Sequence, residues 1–341
     1  MVWTLGALLL FVVSATALSR TKPPAGAVVV KPGVLKSGWF TSIGDAVNSL
    51  PNDTSAQTVF IYPGTYHEHV NISRPGPVTV YGYTRDVMDF NQNTVNIIHN
   101  ASLATGAGSD DLTGTLRIHS NDVALYNIDL TNNFGVAHSN GQAIAISNYG
   151  SRVGAYACRF FSYQDTLYSN QGTQVYLKSY IEGAVDFIFG RLGQAYFEGN
   201  VIASKGAGCI TASGREANNS AIYVFDHNSI ISAPDAFQNV SGEVFLGRPW
   251  GDFAKVVFKN TYIGPQLNKT VWSTWNPGDP RTDNILFAEY NSFGPGVIGA
   301  HRPNFSTILT GKDAAQYNIS TTVGDDYKSW VDLKFLLPSS L

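Results

Sequence analysis

Gln142, Gln164 and Asp186 follow one another at intervals of 22 residues, and Asp165 precedes Asp186 by 21. Side-chain amides and carboxylates are groups that stabilise developing negative charge, move protons and attack electrophilic carbon. Spacing matters because strands of a repeating parallel sheet lie about 4.8 Å apart, so residues one repeat apart become neighbours. If the strands carrying them keep one register and one outward direction, the four side chains line a single patch. A ladder of stacked Gln and Asp can equally be a solvated polar face. The setting of Asp186 favours the first reading, because Gly183-Ala184-Val185-Asp186-Phe187-Ile188-Phe189-Gly190 puts the carboxylate between Val185 and Phe187 in an apolar strand. A carboxylate taken out of water there is costly unless paired, so a cation must come from elsewhere in the chain.

The element that could position these groups shows itself as repetition. Strand-like lines recur as LYNIDL from Leu125, AYACRF from Ala155, VYLKSYI from Val175, AYFEGNVI from Ala195, IYVFDHNSII from Ile222, VVFKNTYI from Val256 and ILFAEYNSF from Ile285. Tyr156, Tyr176 and Tyr196 are 20 residues apart, and the other intervals run from about 27 to 34. Units of this size cannot bury an apolar face alone and read as a solenoid. Val, Ile, Tyr and Phe between Gly and Asn turns point to coils of a parallel β-helix, with a propeller or sandwich as the competitor. Ser42 to Leu50 carries Ile43, Ala46, Val47 and Leu50 at helical spacing, which predicts a short N-terminal capping helix. Tyr327 to Leu337, with Trp330, Leu333, Phe335 and Leu336, is expected to cover the last coils. No linker or composition break divides residues 18–341, which read as one all-β catalytic domain.

The composition agrees. Charged residues make up 14% of the 341 residues, against about 25% in an average soluble domain, which excludes a coiled coil or a charge-laced bundle. A net charge of -3 gives no electrostatic footprint for nucleic acid. Residues 1–17 read as a signal peptide: Leu5 to Val13 is apolar and Ala15-Thr16-Ala17 is a small-x-small cleavage pattern, although no Lys or Arg precedes the run. No other stretch is long enough to span a membrane, so a secreted, extracellular protein is expected. Eight Asn-x-Ser/Thr acceptors, at Asn52, Asn71, Asn100, Asn218, Asn239, Asn268, Asn304 and Asn318, fit a glycoprotein. Cys158 and Cys209 lie about two coils apart, beyond the roughly 7 Å Cα limit for a bridge, so two unpaired, buried thiols are expected.

Five separated segments in fixed order resemble the pectin methylesterases (pectinesterases), specifically the secreted kind without a pro-region. They are Gly64-Thr65-Tyr66-His67-Glu68, Gly141-Gln142-Ala143-Ile144-Ala145, Tyr163-Gln164-Asp165-Thr166-Leu167-Tyr168, Gly183 to Gly190, and Leu246-Gly247-Arg248-Pro249-Trp250. The resemblance implies a right-handed parallel β-helix, in agreement with the repeats. It implies Asp186 as nucleophile, Asp165 as general acid and then base, Gln142 and Gln164 as oxyanion donors, and Arg248 as the cation holding Asp186 ionised. Trp250, Phe189 and Trp275 resemble sugar-contacting aromatics, and Thr115 resembles a substrate-side threonine. The substrate so implied is methylated homogalacturonan (pectin), whose C6 methyl esters are hydrolysed through an Asp acyl-enzyme, with no cofactor or metal and as a monomer. The chemistry requires two nearby carboxyls that differ in protonation, and a guanidinium beside one of them is expected to depress its pKa.

Other signals take ordinary readings. Gly294 to Gly299 matches GxGxxG without a following helical pattern, His67 and His69 lack HExxH spacing, and no GxSxG occurs. Glu68 reads as a structural hydrogen-bonding residue. Two rivals remain at this level: another β-helix pectin enzyme, a lyase or polygalacturonase, and a non-catalytic β-helix that binds polysaccharide through Trp250 and Trp275.

Overall fold

The computed structural model describes residues 18–33 and 36–340. The leader read in residues 1–17 lies outside the described residues. Among those described, three parallel sheets hold twelve, eight and seven strands. One run shows how the chain visits them: Val153–Tyr156 joins the twelve-stranded sheet, Arg159–Phe161 the eight-stranded and Leu167–Ser169 the seven-stranded, and then Gln171–Leu177 returns to the first. Each strand thus pairs in parallel with its counterpart one turn later, which is a parallel β-helix and excludes the antiparallel propeller or sandwich.

The middle coils step by 21 residues, since Ala155 pairs with Tyr176 and Tyr176 with Phe197. The 20-residue interval of the tyrosines is therefore not the coil. A one-residue offset reverses the face. Tyr176 points inward and stacks on Phe197 at 4.9 Å, in a row continued by Phe225 and Phe258 at 4.3 Å each. Tyr156 and Tyr196 point outward, beneath the C-terminal segment.

The capping helix forms at Ile43–Asn48 and buries Ile43, Ala46 and Val47. Its start is held by Glu68, whose carboxylate accepts from the Ile43 and Gly44 amides at 2.9 and 2.7 Å and from the Ser42 hydroxyl at 3.0 Å. Glu68 is thus the structural residue expected. The C-terminal segment covers a flank and not the last coils: Phe335 packs on Tyr126 and Tyr156, and Val323, Tyr327 and Val331 join the same cluster. Cys158 and Cys209 are buried and unpaired, and burial pushes the Cys158 thiol up to about 12. No helix among the described residues is long and apolar enough to cross a membrane.

Candidate active site

The chain turns between the eight- and seven-stranded sheets at Asp165 and again, one coil later, at Asp186. Both residues adopt the left-handed conformation, with φ of 65° and 50°. That region costs most L-residues about 1–2 kcal/mol and suits Asp and Asn best. The Asp165 amide donates to Val185 O at 3.0 Å, and Leu167 pairs with Ile188. Asp165 therefore stands one coil from Asp186. Gln142 bridges to Gln164, and Gln164 to Val185.

The arrangement is two short columns side by side, Gln142–Gln164–Val185 and Asp165–Asp186, not the single Gln142–Gln164–Asp186 column that 22-residue spacing implies. The extra residue is absorbed by a bulge in which the Ala145 and Ile146 amides share Thr166 O at 2.8 and 3.2 Å. From there the step is 21, with Ile146 opposite Leu167. A Cβ at Gly141 would sit 2.8 Å from Gln164 Oε1, so a side chain there would displace the Gln164 amide. The Gln142 Oε1 is buried without a partner, and neither glutamine NH₂ donates to another described residue, so both retain donors for a ligand.

The cation that Asp186 needs is Arg248, on the strand Val244–Pro249. Its Nε lies 2.9 Å from Asp186 Oδ1 and 3.2 Å from Oδ2, and Nη2 lies 2.7 Å from Oδ2, a bidentate fork. The guanidinium also lies 4.4 Å from the Trp275 ring centre. Removing it leaves Asp186 buried with no other cation bonded to it among the described residues. Arg248→Ala should destabilise the fold near the lower end of the roughly 3–5 kcal/mol typical of breaking a buried pair, since the arginine side chain is 29% exposed. Denaturant melts check this, and an unchanged midpoint would mean that the pair does not neutralise Asp186.

Burial raises both carboxyls, but unequally. Asp165 lies well above the usual carboxylate range because burial removes water and because Asp186 and then Asp110 add negative charge, with Arg248 a weaker opposing influence. For Asp186, burial raises the value and the Arg248 bonds pull it back. The expected depression by Arg248 is therefore present but outweighed by burial. The order needed for chemistry is kept: Asp165 holds its proton to higher pH than Asp186.

Among the aromatics, Trp250 is half-buried, with Arg191 3.8 Å from its ring centre and Arg281 donating to its carbonyl. Trp275, also half-buried, lies between Arg248 and Arg281. Phe189 is 3% exposed, stacked on Tyr168 at 4.3 Å and leaning on Trp250 at 6.0 Å, so it supports the surface more than it forms it. Thr115 does not reach a ligand surface: it is fully buried and its hydroxyl donates to Thr131 O at 3.0 Å. Sequence reasoning gave Tyr168 no role, although it follows Asp165 by three residues as Phe189 follows Asp186, and the two pair. It also missed Asp110, the half-buried residue that starts the turn Asp111–Thr113 and makes no side-chain cap bond there.

A family model described as Pectinesterase matches residues 27–326. A pectinesterase of Aspergillus niger is 39% identical, covering 98% of this chain and all of the relative, and one of Aspergillus aculeatus is 38% identical over 96% and 97%. The crystal structure of the Aspergillus niger pectin methylesterase superposes with a TM-score of 0.84 at 35% identity, covering 93% of this chain and 100% of that one. The carrot enzyme shares the fold, with a TM-score of 0.80 at 21% identity over 93% and 98%. A parallel β-helix that seats two carboxyls, two free amides and a forked arginine at one corner, and that matches these relatives almost end to end, belongs to the pectinesterase family.

Proposed function

We propose that this chain is a carboxylic ester hydrolase that removes the C6 methyl esters of homogalacturonan, releasing methanol and leaving pectate. The observation that carries the reading is the Asp186–Arg248 fork, with the more strongly raised Asp165 one coil away. Asp186 attacks the ester carbonyl, and the developing oxyanion takes hydrogen bonds from Gln142 and Gln164, donors of a kind worth ~10²–10³ each in rate. As the tetrahedral intermediate collapses, the Asp165 proton passes to the departing methoxide. Methanol leaves and an acyl-enzyme anhydride remains. Asp165, now ionised, takes a proton from water while the hydroxide adds to the C6 carbonyl, and the C6–O bond to Asp186 breaks. Asp186 is regenerated as carboxylate, Asp165 as acid, and the product uronic acid ionises in water. Trp250 and Trp275 contact sugar rings.

The enzyme acts as a monomer outside the cell. The Aspergillus niger relative was crystallised in a deglycosylated form retaining an N-acetylglucosamine stub. Here Asn52, Asn71, Asn100, Asn218, Asn239 and Asn304 are exposed acceptors, whereas Asn268 donates to Gly242 O and Asn318 caps a helix.

Purified protein should release methanol from methylated pectin without generating reducing ends or unsaturated products. Reducing ends would favour a polygalacturonase, unsaturated ends a lyase, and binding without turnover the non-catalytic rival. The pH profile tests the acid. Asp165 must be protonated for acylation, so kcat/KM should fall as pH rises through its raised pKa. Asp110→Asn removes a negative neighbour and lowers that pKa, so the alkaline limb should move to lower pH. An alkaline limb that stays in place would assign it to another group.

A further inference from the structure

Arg248 reaches Asp186 across an intervening coil. Arg248 pairs with Ala212 and Ala212 with Phe189, so two coil steps, about 9.5 Å, separate the arginine's strand from the coil that carries Asp186. The coil between them holds the strand Gly208–Ser213. Its register is fixed on both sides of the corner: Ile188 pairs with Thr211, and a Cβ on Gly208 would meet Ala184 O at 2.4 Å and Val185 Cα at 3.2 Å. Cys209 therefore follows Asp186 in the column Asp165–Asp186–Cys209, and Phe245 comes next as its pairing partner.

What this middle coil presents outward is small and uncharged. Ile210 belongs to the core with Phe187, and Thr211, opposite the core residue Ile188, turns its hydroxyl to Leu246 O at 2.9 Å. Cys209 and Ala212 face the other way, 5% and 2% exposed, and Ala212 packs with Phe189. Arg248 starts beside Ala212 and ends at Asp186, so its side chain crosses this pair. Burial raises the Cys209 pKa most, the Asp186 charge raises it further and Arg248 pulls against both, so the thiol lies close to both ends of the fork. It is neutral at acid and neutral pH and takes no share of the guanidinium.

We propose that Cys209, with Ala212, is a positioning residue for the reaction: the pair forms a low, neutral floor over which Arg248 reaches Asp186 and holds it ionised. The proposal rests on the esterase reading above. A larger side chain at position 209 lifts the guanidinium off the carboxylate, and an anionic one divides it. In either case Asp186 keeps its burial but loses its cation, and its pKa rises. Asp186 attacks as the carboxylate, so kcat/KM climbs with pH through that pKa, and a higher pKa moves the acid limb to higher pH. The titratable groups whose charge meets Asp186 are Arg248, Asp165 and Cys209.

The test reads the acid limb of kcat/KM on methyl-esterified oligogalacturonate. Cys209→Ala, small and neutral, should keep the limb where the parent has it. Cys209→Asp should move it up by about 1 pH unit or more, because a new carboxylate and a divided cation both favour the protonated Asp186. At a pH below the limb, that is a roughly tenfold loss per unit. Cys209→Val, which adds bulk without charge and suits a strand, should move it in the same direction. A residue that only filled space would change the melting temperature or kcat and leave the limb in place. A limb that stays put in the folded Asp and Val variants, or that moves as far in Cys209→Ala, overturns the proposal. Denaturant melts add a reading that needs no activity and no Asp variant. Cys209→Val and Arg248→Ala break the same fork, so their midpoint shifts should be less than additive when combined, and additive shifts overturn the proposal. Absence of methanol release by the parent would sink the esterase reading itself, and the melts would then still decide whether Cys209 positions Arg248.

Discussion

Asp186→Ala should abolish methanol release, a loss of about 10⁴-fold or more, because the nucleophile proposed above has no substitute in the site. Its effect on stability is the sum of opposed contributions. Removing a buried carboxylate relieves desolvation but leaves Arg248 without its fork. It also puts Ala at φ 50°, a region that costs about 1 kcal/mol for a residue lacking a short polar side chain. The chain already carries Ala157 at φ 48°, so the fold accommodates this at a corner. Asp186→Asn is the cleaner partner variant, since it keeps the size and the preferred conformation while removing the nucleophile. Both should be inactive in methanol assays, and Asn should melt at the higher temperature of the two. Turnover by either variant above a small fraction of parent would show that Asp186 is not the attacking group.

What the sequence made legible was the architecture and the set of polar groups that meet at the corner. Recurrent Val, Ile, Tyr and Phe lines have to bury a shared face, and the parallel coil does so. The apolar surroundings of Asp186 demanded a cation, and Arg248 supplies it at 2.7 Å. What spacing could not give was register. Three tyrosines at 20 residues marked the repeat, yet the coil is 21 and Tyr176 faces away from Tyr156 and Tyr196. The interval of 22 between Gln142 and Gln164 is a coil plus a bulge, which only the shared acceptor Thr166 O reveals. Thr115 was misplaced because a short polar residue beside a motif reads the same whether it points to solvent or back to a carbonyl. Asp110 lies on a loop that carries no periodicity, so its approach to the corner is set by how the loop folds over the coils.

Asp165→Asn separates the role of the proton from that of the shape. Asn fits φ 65° at least as well as Asp and occupies nearly the same space, so the corner should be preserved. Because burial and its neighbours raise the Asp165 pKa in the folded state, the ionised form is disfavoured by folding. That penalty is absent at pH below the unfolded value of 3.8 and grows as pH rises from there toward the folded pKa. The variant should therefore melt at or above the parent at neutral pH, with the difference vanishing as pH falls toward 3.8. Activity should fall the other way. Neither protonation of methoxide nor activation of water can proceed through Asn, so kcat should drop by about 10²–10⁴-fold with little change in substrate binding. An ester whose leaving group is far more acidic than methanol needs no proton to depart. The ratio of variant to parent acylation rates should rise toward one for such an ester of the same oligogalacturonate, while Asp186→Ala stays inactive with both. A ratio that does not move with the leaving group would remove Asp165 from acid catalysis and leave it an electrostatic or structural place one coil from Asp186.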